Sequence, residues 1–122
     1  MAKFVYYNIN PKGIKEEDCV TRALALATGL NYYDIADKLN LTAQLLDCTK
    51  LCMYCYRRLI EDVFKFKEVN GQDMTVEEFA DIHPNGVYLI RIEGHITVAM
   101  YGEIWDIWDC RNGIIDTVWE VK

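Results

Sequence analysis

The chain has 122 residues, of which 52% are hydrophobic and 26% are charged, and its formal net charge is −6 at pH 7. These values predict one globular domain over residues 1–122 and argue against a disordered chain or a protein that grips nucleic-acid phosphates. No apolar run is long enough for a signal peptide or a membrane span, so we expect a cytoplasmic protein with no membrane partner.

The first half of the chain carries helical patterns after an extended N-terminal segment, "KFVYYNIN". In "DCVTRALALATG", Asp18 is suited to cap a helix and Gly29 to end it. Asn31 is the expected cap of a second short helix, "NYYDIADKLN", and the longest helical pattern covers residues 44–63. The segment "FKFKEV" then alternates like a strand, and "TVEEFADIHP" opens with a capping box that starts at Thr75.

From Gly86 onward the chain is rich in β-branched and aromatic residues, separated by short polar or glycine-containing breaks. The predicted strands are "GVYLIRIE", "HITVAMY", "EIWDIWD" and "IIDTVWEV". Helices first and strands second predict an α+β fold, with N-terminal helices packed on a C-terminal antiparallel sheet.

Three of the five cysteines, Cys48, Cys52 and Cys55, lie within "CTKLCMYC". Their Cys-x3-Cys-x2-Cys spacing matches the motif with which radical-SAM enzymes hold an iron–sulfur cluster. The same spacing places the three thiols on one face of the predicted helix, in register with Leu45 and Leu59, where free cysteines pack as small hydrophobic residues. A radical-SAM barrel needs about twice this length, and a zinc site needs a fourth ligand. We therefore favour structural thiols over zinc or iron–sulfur ligands, and we expect no cofactor and no metal.

Cys19 falls in the first turn of the first predicted helix, where unpaired N–H groups and the helix dipole favour a thiolate. Far along the chain, His95 opens a strand, and the chain reverses near "YGE". If residues 101–103 form the turn, Asp109 lies directly opposite His95 and on the same face of the sheet. Asp106 has the other parity and is the lesser candidate unless a β-bulge shifts the register. A carboxylate beside an imidazole stabilises the imidazolium, which in turn stabilises a thiolate.

Two neighbouring residues leave alternatives open. Arg22, one turn after Cys19, is either a surface charge or a positive neighbour that lowers the thiol pKa. A pair formed by His95 and Asp109 is either part of a reactive arrangement or a structural ion pair.

A cysteine at the start of a helix, a Gly-His strand and an aspartate on the next strand together resemble the papain-like cysteine peptidase fold. The segments "DCVTRALA" and "GHITVAMYGEIWDIWDC" are similar to bacteriocin-processing peptidase domains. They are also similar to small phage and bacterial proteins that carry "NPKG…DC…RA" near the start and "DxWD" near the end. The matching parts of this chain are residues 6–30 and 84–110.

The resemblance implies that Cys19 is the nucleophile, His95 the general base and acid, and Asp109 the orienting carboxylate. Papain-like enzymes also carry a glutamine shortly before the cysteine, whose amide helps to stabilise the oxyanion, and this chain has a glycine there. Asn8 or Asn10 is the candidate to supply an amide instead, alongside the backbone N–H of Cys19.

Two functions follow from this resemblance. The first is a small thiol hydrolase, encoded by a phage or a bacterium, that cleaves a peptide or other amide bond through an acyl-enzyme. The second is a catalytically inactive protein of the same fold that binds a host or phage protein, for instance to counter a defence system. The expected partner is accordingly a peptide or protein substrate or a protein, and the sequence leaves the oligomeric state open.

Overall fold

The computed structural model describes all residues from Met1 to Lys122 and has four α-helices and six β-strands. The helices are α1 (Cys19–Thr28), α2 (Tyr32–Leu46), α3 (Met53–Arg58) and α4 (Val76–Ile82). The strands are β1 (Lys3–Tyr6), β2 (Lys67–Val69), β3 (Val87–Ile92), β4 (His95–Met100), β5 (Glu103–Asp106) and β6 (Ile115–Glu120). This confirms the predicted α+β class. None of the helices combines the length and the apolar character that crossing a bilayer requires.

The six strands form one mixed sheet in the order β1-β5-β4-β3-β6-β2. Strands β3, β4 and β5 form the predicted antiparallel meander, and β6 returns beside β3. Strand β1 runs parallel to β5 at one edge, and β2 pairs with β6 at the other. The prediction of a purely C-terminal antiparallel sheet is therefore wrong, because the N-terminal strand β1 joins one edge in parallel orientation and β2, which precedes α4, completes the other edge.

Helices pack on both faces of the sheet, and side chains that alternate along the central strands separate two hydrophobic clusters. On one face, α1, α2 and α3 cover Leu89, Val98 and the fully buried Trp119. On the other face, α4 covers Ile90 and Val118. A central strand pair buried on both sides is a rigid support for side chains at its ends.

The prediction of a single helix over residues 44–63 is wrong, because α2 ends at Leu46 and Asp47 caps it. That residue adopts a left-handed conformation, with φ 53° and ψ 51°, and its N–H bonds to the carbonyl oxygens of Ala43 and Gln44. Aspartate tolerates this conformation better than most residues. Helix α3 begins only after Cys52, and a π-helical turn (Leu59–Val63) extends it.

Candidate active site

Helix α1 begins at Cys19 and packs against β4, the strand that begins at His95. The helix forms because its apolar residues repeat at helical spacing and are buried against the sheet, and it ends at Gly29, which adopts φ 73° and donates its N–H to the Ala25 carbonyl. Asp18 occupies the N-cap position, but its side chain makes no capping hydrogen bond. Cys19 is half-buried and lines the same cleft as His95, whose ring lowers the pKa of the Cys19 thiol.

The turn between β4 and β5 decides which aspartate meets His95. The turn consists of Tyr101 and Gly102 alone, with φ 52° and 81°, and Met100 pairs with Glu103. Positive φ at both central residues defines the two-residue turn that matches the twist of a hairpin. The expected three-residue turn over 101–103 is thus wrong by one residue. A shift of one residue exchanges the two faces of a strand, so the face of His95 receives Asp106.

Asp106 is the carboxylate beside the imidazole. Its Oδ2 lies 2.7 Å from Nε2 of His95, and its Oδ1 accepts hydrogen bonds from Arg22 Nη1 at 2.8 Å and from the Ile107 amide at 2.7 Å. The Cys110 thiol donates to Oδ2 at 3.7 Å. The residue is only 3% exposed. Burial acts to raise the pKa of Asp106, but its hydrogen bond to His95 and the positive charge of that ring, with the hydrogen bond from Arg22, lower it to about 2.

The same contacts favour a protonated His95 and a deprotonated Cys19. Burial acts to lower the pKa of His95, but its hydrogen bonds to Asp106, Cys110 and Cys19 outweigh burial and raise it to about 11. Burial acts to raise the pKa of the Cys19 thiol, but hydrogen bonds from His95 and from the Ile96 amide hold it below its ordinary value, assisted by the charges of His95 and Arg22. The arrangement favours a thiolate–imidazolium pair.

Three predicted site residues lie elsewhere. Asp109 is exposed and pairs with Arg111, with Oδ2 2.8 Å from Nη2, so the expectation that Asp109 lies beside His95 is wrong and Asp106 occupies that position. The Asn8 amide donates to the Ile14 carbonyl at 2.9 Å. The Asn10 amide is buried and donates to carboxylates of Glu16 and Asp18, at 2.9 and 3.0 Å. The Asn10 amide is therefore used by other acceptors, and one of the two N–H groups of the Asn8 amide is used by Ile14.

Arg22 is the alternative that the sequence left open, and the structure resolves it. The side chain is buried, and besides Asp106 it contacts Asp18, with Nε 2.7 Å from Oδ1. Asp18 also accepts hydrogen bonds from Tyr32 Oη at 2.7 Å and from the Asn10 amide. Arg22 is a positive neighbour of Cys19 and not a surface charge.

The thiol and the imidazole open onto a cleft of about 390 Å³. Glu16, Glu17, Leu51 and Trp108 are also among the residues that line this cleft. The Trp108 ring is 47% exposed and lies against the His95 ring, with a centroid distance of 4.8 Å. The cleft thus presents the Cys19 and His95 side chains together with a partly exposed aromatic ring.

One cluster in this region has a spacing compatible with a metal ion. Ligand atoms of His95, Asp106 and Cys110 lie within 4.8 Å of one another. The Asp106 carboxylate, however, is already compensated by Arg22 and His95. We therefore interpret the cluster as a hydrogen-bonded extension of the thiol–imidazole pair.

The three cysteines of "CTKLCMYC" do not form a stripe on one helix. Cys48 is half-buried after the end of α2, Cys52 is exposed at the cap of α3, and Cys55 is fully buried. Burial and the hydrogen bond with Cys48 raise the pKa of the Cys55 thiol to about 12. Cys55 is thus a buried, protonated thiol, as expected for a structural role.

Sequence reasoning ranked Asp106 too low and missed the partners of Asp18. A usable signal for Asp106 is the "YG" dipeptide, since glycine at the second turn position suits a two-residue hairpin turn. A usable signal for the ion pair is the i,i+4 spacing of Asp18 and Arg22 on one helix. No local pattern indicates Tyr32 or Cys110, which are brought in by tertiary packing.

Comparison of the chain with models of known protein families, with curated protein sequences and with solved structures found no match. Any function of the cleft must accordingly be argued from its own chemistry.

Proposed function

We propose that this protein is a small thiol hydrolase of papain-like architecture that cleaves a peptide or other amide bond. The observation that supports the proposal is that Cys19 and His95 line one open cleft while the His95 ring is hydrogen-bonded to the buried Asp106 carboxylate. A helix supplies the nucleophile and the sheet supplies the base and its acid, as in the papain-like fold that the sequence resembles. Asp106 replaces Asp109 in the proposed triad.

The reaction follows from the charges of the pair. The Cys19 thiolate attacks the carbonyl carbon and forms a C–S bond, which leaves a tetrahedral oxyanion. The His95 imidazolium donates its proton to the departing amine nitrogen as the C–N bond breaks. Neutral His95 then takes a proton from water, which attacks the thioester carbon and releases the acid and the Cys19 thiolate. Asp106 holds the ring in place and stabilises its protonated form throughout.

The oxyanion is stabilised in this proposal by the backbone N–H of Cys19. The first amides of a helix have no intrahelical acceptor, and the helix dipole adds positive potential at the same point. The side-chain amides expected from Asn8 and Asn10 are committed to other acceptors. Loss of one such donor commonly costs about 3 kcal/mol of transition-state stabilisation, so we expect a slow enzyme.

The substrate is proposed to be an exposed chain end, a flexible linker or a small amide. The cleft is open to solvent, and Leu51 and Trp108 are exposed on its wall. An exposed or flexible peptide segment can enter such an open cleft directly, so the protein that carries the segment need not unfold.

The test combines thiol labelling with turnover. Wild-type protein is treated with iodoacetamide at pH 6, and the modified residue is mapped by mass spectrometry. We expect Cys19 to react ahead of the other four cysteines and His95→Ala to remove that advantage. Turnover is measured on a peptide library, with Cys19→Ala as the matched inactive control. Uniform slow labelling of all five cysteines would overturn the proposal.

A second candidate is a catalytically inactive protein of the same fold that binds a protein partner. The observation that favours it is the commitment of the Asn8 and Asn10 amides to structural hydrogen bonds. Fast labelling of Cys19 without any cleavage of the peptide library would support this candidate over the hydrolase.

A further inference from the structure

Arg22 is the one buried cation on the helix that carries Cys19, and two buried carboxylates share it. Its Nε lies 2.7 Å from Asp18 Oδ1, and its Nη1 lies 2.8 Å from Asp106 Oδ1. The three side chains are only 7%, 5% and 2% exposed. A guanidinium can serve two acceptors at fixed angles, because its donors are held in a rigid plane.

Arg22 thus forms a bridge between the Asp18 and Asp106 carboxylates, and other contacts fix both of these carboxylates. Asp18 directly precedes Cys19, and its second oxygen is held by Tyr32 Oη at 2.7 Å. Asp106 ends β5, and its second oxygen holds His95 Nε2 at 2.7 Å. The bridge therefore connects the residue before the thiol with the carboxylate behind the imidazole, across 84 positions of sequence between Arg22 and Asp106.

We propose that Arg22 is a positioning residue of the active site, which sets the separation of the Cys19 thiol and the His95 ring by tying the start of α1 to Asp106. This inference rests on the proposed function, since it assigns a role within the same site. A purely structural ion pair is the competing explanation. Buried ion pairs often contribute little net stability compared with apolar side chains of similar size, so stability alone is a weak reason for this one.

The bridge also determines how the charges are shared. Arg22 and His95 both contact the Asp106 carboxylate. The positive charge of Arg22 therefore offsets part of the negative charge of Asp106 that would otherwise act on His95 alone. The Arg22 charge also favours the Cys19 thiolate directly. A lysine at this position retains the charge but, as a single point donor on a flexible stem, does not hold two carboxylates at fixed angles.

The test compares Arg22→Lys with wild type by the rate at which iodoacetamide modifies Cys19 between pH 4 and pH 9. We expect the rate at pH 6 to fall about tenfold. The acid limb of the profile, where the rate rises with pH as the Cys19 thiol ionises, should move to higher pH by about one unit. The matched control is Arg58→Lys, because Arg58 forms an exposed i,i+4 pair with Asp62 at 2.7 Å and makes no ion pair with Asp18 or Asp106. The control should keep the wild-type profile. A profile for Arg22→Lys that also matches wild type would overturn the proposal.

A second variant covers the case in which Arg22→Lys does not fold. The double substitution Asp18→Asn with Arg22→Met removes one charge of each sign, so no buried charge is left without a partner. We expect this variant to fold and to show the same loss of rate and the same shift of the acid limb. A wild-type profile in a folded double variant would leave Arg22 as a structural ion pair. Slow modification of Cys19 by iodoacetamide in the wild type would instead contradict the proposed function itself, so the two failures are distinguishable.

Discussion

At the scale of single residues, the identity of the acid behind His95 depends on one residue in a turn. With a turn of two residues, Asp106 is buried against the ring, and Asp109 lies outside with Arg111. The two aspartates differ by three positions, yet their surroundings are opposite. Burial and pairing make Asp106 sensitive to change and leave Asp109 tolerant.

The first prediction is therefore a matched comparison of Asp106→Asn with Asp109→Asn. The first variant removes the negative charge that stabilises imidazolium, so the pKa of His95 falls and Cys19 loses its thiolate. We expect its labelling rate at pH 6 to drop at least about tenfold. Asp109→Asn should change that rate less than about twofold, because it breaks only a surface pair. Iodoacetamide labelling of both variants measures the difference, and equal losses would contradict the assignment.

The second prediction concerns the pH dependence of Cys19 itself. The pKa of Cys19 is lowered and that of His95 is raised to about 11, so both shifts favour the thiolate–imidazolium pair. The rate of iodoacetamide modification of Cys19 should therefore rise and level off at a lower pH than the rate for N-acetylcysteine measured in parallel, because an unperturbed thiol has a pKa of about 8.5. Parallel profiles for the two thiols would show that Cys19 is not activated.

At the scale of elements, the sequence predicts helix ends that depend only on neighbouring residues. Gly29 and the capping box at Thr75 fix the ends of two helices, and both are found as predicted. The helix break at Asp47 could not be read in the same way, because the apolar spacing continues through Leu45, Cys48 and Cys52 while the backbone does not. The pairing of β1 with β5 and of β2 with β6 depends on distant segments, so no local pattern indicates it.

The third prediction uses the turn that sets the register. Gly102 has φ 81°, and a Cβ there would meet only ordinary contacts, the nearest being Pro84 at 3.7 Å. Gly102→Ala should thus cost about 1 kcal/mol of unfolding free energy, from backbone strain alone. Tyr101→Asn places the Asn-Gly pair favoured by this turn type and should add about 0.5 kcal/mol. Urea denaturation measures both changes, and a destabilised Tyr101→Asn would contradict the assigned turn.

At the scale of the whole molecule, a buried polar network joins the N-terminal segment to the centre of the sheet. It runs from Asn10 through Asp18 and Arg22 to Asp106 and His95. Its members come from the N-terminal segment, the start of α1, β4 and β5, so the complete network exists only in the folded protein. The site and the stability of the fold therefore respond to pH through the same groups.

The fourth prediction follows from the lowered pKa of Asp106. In the unfolded chain this carboxyl binds a proton near its ordinary pKa of 3.8, whereas in the folded protein it stays ionised down to about 2. Its contribution to stability is therefore complete above about pH 5 and is lost as the pH falls towards 2, by an amount on the order of 2 kcal/mol. Urea unfolding at steps between pH 2 and pH 7 measures this loss. In Asp106→Asn the protein should be less stable at neutral pH, and its unfolding free energy should decline less steeply over that interval. The other carboxylates are the same in both proteins, so a decline of equal steepness would mean that Asp106 is not held in its charged form by His95 and Arg22.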